Sequence, residues 1–344
     1  MMRVLGRRRE AWRSVTSMKI SRIFRSVRTA EQVAQLQRNC QTMIAEVKDL
    51  REQVARLTTR EGQLRAVLTR DAQLQRYQAQ LKKVLAHPDT PSYIAAAIAA
   101  AKLHRRPFPY AVVDRVLPTH LYKALLRGLP PVELFGDRPV NKQQLTIPFA
   151  LAPAYSQRVW NHFVSAVVPE CLVPALLAAF RGVLDDWIAT NWPDVPSASV
   201  ALGSSEGRIL LRRRGYQNPP HRDPKWAFLT GILYLARRGD SEQWGTQLYT
   251  VANDEEAPGT APHWIDPSRC TTVKEIAFRP NRLLVFLNSV GAHGAHIPDD
   301  AQPESLERYI YQFRIGPALE SMALLKSHLP EHRRSSWAGK AADY

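Results

Sequence analysis

Apolar positions recur in different rhythms along the 344 residues, and the changes of rhythm mark the parts of the chain. From Thr29 to Leu85 there is no Pro and a single Gly. Within that stretch Val33, Leu36, Cys40, Met43, Val47, Leu50, Val54 and Leu57 fall at alternating spacings of three and four, the a and d positions of a heptad repeat. The pattern predicts a coiled-coil helix over residues 30–86. Its register falters at Glu61-Gly62 and resumes one residue out of phase at Val67, Leu74, Tyr77, Leu81 and Val84, which implies a break or skip rather than a continuous rod.

His87-Pro88-Asp89-Thr90-Pro91 ends that pattern and opens residues 87–106, a linker carrying a short Ala-rich helix. Residues 107–114 then read as a strand and 118–126 as an amphipathic helix. Two further helices are expected at 155–168 and 171–188, with Trp160, Phe163, Leu177, Phe180 and Trp187 as core. After Pro196 the texture becomes short apolar runs separated by Gly, Pro and Asp. Strands are expected at 207–214, 227–236, 246–251, 272–278, 282–288 and 308–315, and many short strands with turn signals imply a sandwich or barrel. No internal repeat is present at the level of sequence.

Composition adds that 45% of residues are hydrophobic, enough to bury a core. No apolar run approaches the roughly 20 residues that span a bilayer, and the start lacks the apolar centre of a secretory signal. A soluble, cytoplasmic chain without a transmembrane segment is therefore expected. Three widely spaced cysteines, Cys40, Cys171 and Cys270, indicate neither a disulfide framework nor a thiolate zinc site. The formal charge of +16 is concentrated at the start, where residues 1–30 hold nine Lys/Arg and one acid. Residues 1–29 are read as a basic, disordered tail able to meet an anionic surface.

The chemistry centres on Pro219-Pro220-His221-Arg222-Asp223-Pro224. In an extended segment residues two apart share a face, so His221 and Asp223 present an imidazole and a carboxylate to one point. His293, in Asn288-Ser289-Val290-Gly291-Ala292-His293-Gly294, supplies a third ligand if the intervening strands bring it back. Two His and one carboxylate on one face of an iron leave coordination positions open, as a non-heme Fe(II) oxygenase requires. Thr230 and Tyr234 share a face of the next strand, Trp244-Gly245-Thr246 opens another, and Glu307-Arg308-Tyr309-Ile310-Tyr311-Gln312-Phe313-Arg314 follows the distal histidine.

This order of parts, over residues 107–316, resembles the Fe(II)/2-oxoglutarate-dependent dioxygenase superfamily, in particular its prolyl 4-hydroxylase-like branch. Pro107-Phe108-Pro109-Tyr110-Ala111-Val112-Val113-Asp114 looks like the segment that opens many bacterial members. The resemblance implies an α+β fold, a double-stranded β-helix (jelly roll) with flanking helices, here preceded by the N-terminal coiled-coil helix and followed by a tail at 317–344. It implies His221, Asp223 and His293 as iron ligands and Arg308 as the partner of the distal 2-oxoglutarate carboxylate, a role suited to a guanidinium fork. Thr230 and Tyr234 match positions that hydrogen-bond the same carboxylate. The implied reaction is hydroxylation by Fe(II), 2-oxoglutarate and O2 with release of succinate and CO2, and ascorbate joins the candidate cofactors.

Rival assignments remain at this level. His296 competes with His293, His263 and Asp266 form a second His/Asp pair in a Pro-rich loop, and Arg314 shares strand parity with Arg308. Two other functions compete: oxidative dealkylation of nucleic acid, suggested by the basic start and the Arg308/Arg314 pair, and a coiled-coil scaffold with an inactive jelly roll. Self-association through the heptads is the expected partnership. The substrate, whether peptidyl proline, another protein side chain, an amino acid, or a glycan or lipid intermediate, is not specified by these motifs. The acidic stretch 252–262 and residues 137–149 are expected to flank the site.

Overall fold

The computed structural model describes residues 3–136, 138–224, 226–254, 263–288, 290–329 and 331–334. The chain divides into two compact units, residues 1–62 and 63–344. The backbone is helical from Arg3 to Leu74 (α1), so residues 3–29 are helix rather than the expected disordered tail. Between them lie no Pro and one Gly, and nothing in the stretch breaks a helix. Contact of its basic side chains with an anionic surface lies outside the described residues.

The unit boundary at Gly62 coincides with the slip in the heptad register. Beyond it a short 3-10 turn, Gln75–Tyr77, leads into α2 (Gln78–Leu85). Val67, Leu74 and Leu81 are buried in the main hydrophobic core of the second unit, with Tyr77 and Val84 packed against it. Residues 67–84 are therefore part of the domain, a correction to the coiled coil expected through residue 86. The Ala-rich helix α3 (Thr90–Ala99) likewise buries Ile94 and Ile98 in that core instead of serving as a free linker.

Strands follow in the order β1 (Leu103–His104), β2 (Tyr110–Val113), β3 (Gln144–Thr146) and β4 (Leu202–Arg212). Next come β5 (Gln217–Arg222), β6 (Leu229–Tyr234), β7 (Thr246–Val251) and β8 (His263–Trp264). The last are β9 (Cys270–Ile276), β10 (Arg282–Leu287), β11 (Ala292–His296) and β12 (Arg308–Pro317). They form a seven-stranded sheet, β1-β2-β10-β6-β12-β4-β3, and a five-stranded sheet, β8-β5-β11-β7-β9, with antiparallel neighbours. From β4 to β7 and again from β9 to β12 the chain alternates between the sheets, a jelly-roll-like arrangement.

Strand alternation divides the core in two. Ile232, Tyr234, Leu284, Phe286 and Ile310 of the large sheet meet Leu248 and Ile276 of the small one. The alternate residues Leu229, Leu233, Leu283, Val285, Tyr311 and Phe313 face a layer of helices. That layer includes α4 (Thr119–Arg127), α5 (Ala154–His162), a wider-wound π-type stretch Phe163–Leu172 and α6 (Val173–Asn191). Pro169 inside the π-type stretch lacks the N–H that a regular α-helical bond requires.

The continuous helical run Ala154–Asn191 is long and apolar enough, by length and composition, to cross a membrane, which differs from the expectation that nothing in the chain approaches that size. Its apolarity has a structural cause: Val159, Trp160, Phe163, Leu176 and Phe180 are buried in the core, and the Trp160 and Phe163 rings pack on Tyr311. Residues 319–329 of the expected C-terminal tail also join the domain. In α7 (Leu319–Ser327) Leu325 is buried and its carbonyl accepts from Trp192 Nε1 at 3.1 Å, while Ser321 Oγ accepts from the Ala201 amide.

Candidate metal centre

β5 and β11 are neighbours in the small sheet, and their register sets His221 directly opposite His293. Asp223 follows β5 immediately. The sequence separation of 72 residues between the histidines thus collapses to ring centroids 4.2 Å apart. One ligand atom each from His221, Asp223 and His293 lies within 4.8 Å of the others, and each residue is only 5% exposed. His221 Nε2 stands 4.0 Å from Asp223 Oδ1, and His293 Nε2 stands 3.8 Å from Asp223 Oδ2.

The surroundings hold these groups in ligand form. His221 Nδ1 lies 2.8 Å from the Pro219 carbonyl, so its proton belongs there and the Nε2 lone pair is left toward the cluster. Burial lowers the pKa of both imidazoles, and the charges of Arg212 and Arg314 act in the same direction. His293 is pushed down to about 3. Both rings are neutral around pH 7, the form that binds a metal.

Asp223 is tied to the opposite sheet. Thr230 of β6 and Arg314 of β12 are register partners, and both donate to it: Thr230 Oγ1 to Oδ2 at 2.6 Å, Arg314 Nη2 to Oδ1 at 3.0 Å. Burial alone would raise the Asp223 pKa, but Arg314, the histidines and the Thr230 hydroxyl outweigh it and hold the carboxyl well below its usual range. Asn288 Nδ2 donates to Thr230 Oγ1 at 2.8 Å and to the Ala227 carbonyl at 2.7 Å. The chain Asn288 to Thr230 to Asp223 fixes the carboxylate from behind.

Thr230, expected beside a co-substrate carboxylate, therefore spends its proton on Asp223. Tyr234 is fully buried; its Oη accepts from the Thr246 amide at 3.1 Å and donates to the Ile276 carbonyl at 3.4 Å, joining the sheets. Arg308 lies on the same inward face of β12 as Arg314. It is 1% exposed, its Nη1 donates to the Ser241 carbonyl at 2.7 Å, and its guanidinium sits 4.4 Å from the Phe278 ring centroid. Arg212 of β4 is its register partner and is 5% exposed.

Nε and Nη2 of Arg308 and Nε of Arg212 are buried without a hydrogen-bond partner. Buried N–H groups of cations normally carry acceptors. Arg212 and Arg308, cross-strand register partners in the large sheet, carry three such donors between them and fit a carboxylate, and a His/Asp/His set of N and O donors fits a ferrous ion. The residues present thus suit both an iron and a dicarboxylate.

Two of the rivals fall outside this cluster. His296 is exposed on the opposite face of β11 from His293, and Asp266 caps a turn by accepting from the Ser268 amide at 2.9 Å. The side chain of His263 and residues 255–262, including Glu255 and Glu256 of the acidic loop, lie outside the described residues. Asp254 at the start of that loop binds the Arg222 guanidinium and accepts from the Gly291 amide at 2.6 Å, joining the loop to the turn before His293. Asn141 accepts from the Gln217 amide at 2.8 Å, so part of segment 137–149 borders β5.

Sequence reading missed the roles of Arg212 and Asn288. Arg212 lies within the expected strand 207–214, and its strand parity with Leu210, which packs inward, is the signal that marks it. Asn288 follows a strand that is apolar from Leu283 to Leu287, and its buried amide had no sequence pattern to mark it.

No family model and no curated protein matches this sequence. Among solved structures the chain is similar to a Pseudomonas putida prolyl 4-hydroxylase, with 16% identity over 65% of this chain and 99% of that one and a TM-score of 0.37. It is similar to a prolyl 4-hydroxylase from Phytophthora capsici, also 16% identical with a TM-score of 0.36, covering 61% of this chain and 59% of that one. A third is HygX from Streptomyces hygroscopicus with nickel and 2-oxoglutarate bound, 15% identical over 61% of this chain and 83% of that one, TM-score 0.36. The solved structures to which this chain is similar are prolyl 4-hydroxylases and related 2-oxoglutarate and iron oxygenases.

Proposed function

We propose that the chain is an Fe(II)- and 2-oxoglutarate-dependent dioxygenase that hydroxylates its substrate. The observation that carries this reading is the inward-facing row shared by the two sheets: a buried His221/Asp223/His293 cluster at one level and the partly unbonded donors of Arg212 and Arg308 at another. A metal alone explains the first, and a diacid spanning both explains the second.

His221 and His293 Nε2 and a carboxylate oxygen of Asp223 would hold the iron. Arg308, with Arg212 beside it, would hold the distal carboxylate of 2-oxoglutarate. When bound together, iron, 2-oxoglutarate and O2 supply oxidative decarboxylation, in which one oxygen atom enters succinate and the other enters a substrate C–H bond as hydroxyl, with loss of CO2. The protein contributes orientation and dryness. Thr230 and Arg314 hold Asp223 in place, the Pro219 carbonyl fixes the His221 tautomer, and Phe286, packed 4.5 Å from the His293 ring, shields the cluster with Ile232 and Leu284.

Succinate release by the purified chain supplied with Fe(II), 2-oxoglutarate and O2, screened across peptidyl, amino-acid, glycan and nucleic-acid substrates, tests the reading. The expected result is 2-oxoglutarate-dependent succinate that disappears in Asp223→Ala. Equal release from Asp223→Ala sinks the ligand assignment. Stimulation by alkylated single strands alone would favour a nucleic-acid dealkylase. A chain that binds no iron is a scaffold.

A further inference from the structure

In the first unit, Val33, Leu36, Met43, Val47, Leu50, Val54 and Leu57 are 48% to 69% exposed, and Cys40 between them is exposed as well. All lie on α1 at the a and d positions of four consecutive heptads, a length of about 36 Å at 1.5 Å per residue. The remaining positions over residues 32–59 are polar or Ala, apart from Ile44. A straight helix drifts by about 20° per heptad against a strict seven-residue repeat, so a stripe kept at 3.5 spacing matches a supercoiled partner helix rather than a flat surface.

We propose that residues 32–58 pair with the same residues of a second copy of this chain as a parallel, in-register, two-stranded coiled coil. The a layers are Val33, Cys40, Val47 and Val54, and the d layers are Leu36, Met43, Leu50 and Leu57. β-Branched residues at a with Leu at d select two parallel strands. The flanking positions are self-complementary: in a parallel pair each g residue meets the e residue five positions on in the other helix, giving Gln32 with Gln37, Asn39 with Ile44, Glu46 with Arg51 and Gln53 with Thr58. One opposite-charge pair results, repeated by symmetry, and no like-charge pair. An antiparallel pair with the same overlap brings the two Glu46 carboxylates together at its centre instead. The occupant of the stripe is therefore another copy of this chain, and this inference stands apart from the chemistry of the metal centre.

Sedimentation equilibrium of the full chain at micromolar concentration tests it. The expected mass is twice the 38.9 kDa of one chain, and the double substitution Val47→Asp with Leu50→Asp returns it to a single chain without changing the thermal unfolding of residues 63–344. The parallel register is read separately through Cys40, an a position whose two copies face each other only in that register. Diamide takes two electrons and two protons from the paired thiols, giving a Cys40 disulfide and the reduced hydrazide. A disulfide-linked dimer is expected on non-reducing gels and is abolished in Cys40→Ser. A wild-type chain of single mass, a trimer or tetramer, or a dimer unchanged by the double substitution overturns the proposal. A dimer that does not crosslink through Cys40 overturns its orientation.

Discussion

Asp223 receives one hydrogen bond from each of two strands of the large sheet and stands within 4.0 Å of two imidazoles of the small sheet, so its neighbours can be tested one at a time. Thr230→Val keeps the shape of the site and removes the 2.6 Å bond; metal affinity, measured by titration with Fe(II) under anaerobic conditions, is expected to fall about 10- to 100-fold. Arg212→Leu is expected to leave that affinity nearly unchanged and to weaken 2-oxoglutarate binding about 10- to 100-fold, the loss of one charge-assisted hydrogen bond. Equal loss of metal and 2-oxoglutarate in Arg212→Leu would show that this arginine supports the cluster instead of the diacid. The histidines add a pH dependence. Their folded pKa values lie below the ordinary 6.5, so on acidification the unfolded chain takes up protons first. Metal-free stability is full above about pH 6.5 and falls as pH drops toward 3, with His293 contributing a loss of about 2 kcal/mol between pH 7 and 5. Urea unfolding at the two pH values checks this, since His293→Asn should lose correspondingly less. From the sequence the side chains that come together as His221, Asp223 and His293, and the shared parity of the first two, were readable, because a strand period of two needs only residue numbers. The hydrogen bonds to Asp223 were not, because Thr230 and Arg314 meet it only through cross-strand register.

Secondary elements were most visible where one periodicity ran unopposed. β7 has the bounds expected of it, and β10 and β12 begin at the expected residues, Arg282 and Arg308. β5 was harder to read because Pro219 and Pro220 lie inside it; both sit outside its paired register with β8, which begins at His221, where a missing amide costs least. The two helices expected at 155–168 and 171–188 are one run, since Pro169 is absorbed by π-type winding. For α1 the heptad template continued past the point where the packing changed. Leu74 is 1% exposed in the domain core whereas Leu50 is 57% exposed, although the two look equivalent by composition. Leu74→Ala is accordingly expected to destabilise residues 63–344 by about 2–4 kcal/mol, while Leu50→Ala leaves the unfolding of that unit unchanged. Gly245 supplies another test: a Cβ there would stand 1.7 Å from the Ile276 carbonyl oxygen, so Gly245→Ala must push β7 away from β9. Thermal unfolding of that variant is expected several degrees below wild type.

Taken as a molecule, the chain consists of a basic helical unit and a domain whose two sheets enclose the His221/Asp223/His293 cluster. Each sheet supplies something the other cannot: the small sheet aligns the imidazoles, and the large sheet brings Thr230, Arg314, Arg308 and Arg212 to the space facing them. Residues 85–344 carry only +4 of the formal +16, which weakens the case for nucleic acid as the substrate. Fold class was readable in advance because short strands with intervening turns leave few packing solutions, and the order of His221, Asp223, His293 and Arg308 narrowed those further. Substrate class was not, since the residues that flank the cluster include loops without periodicity, such as the one whose Asp254 accepts from the Gly291 amide. The most direct test of the central claim is anaerobic calorimetric titration of 2-oxoglutarate into the Fe(II)-loaded full chain. One 2-oxoglutarate per chain is predicted, dependent on the metal, weakened in Arg308→Leu and absent in Asp223→Ala. Full iron loading with no 2-oxoglutarate binding, or binding undiminished in both variants, would contradict it.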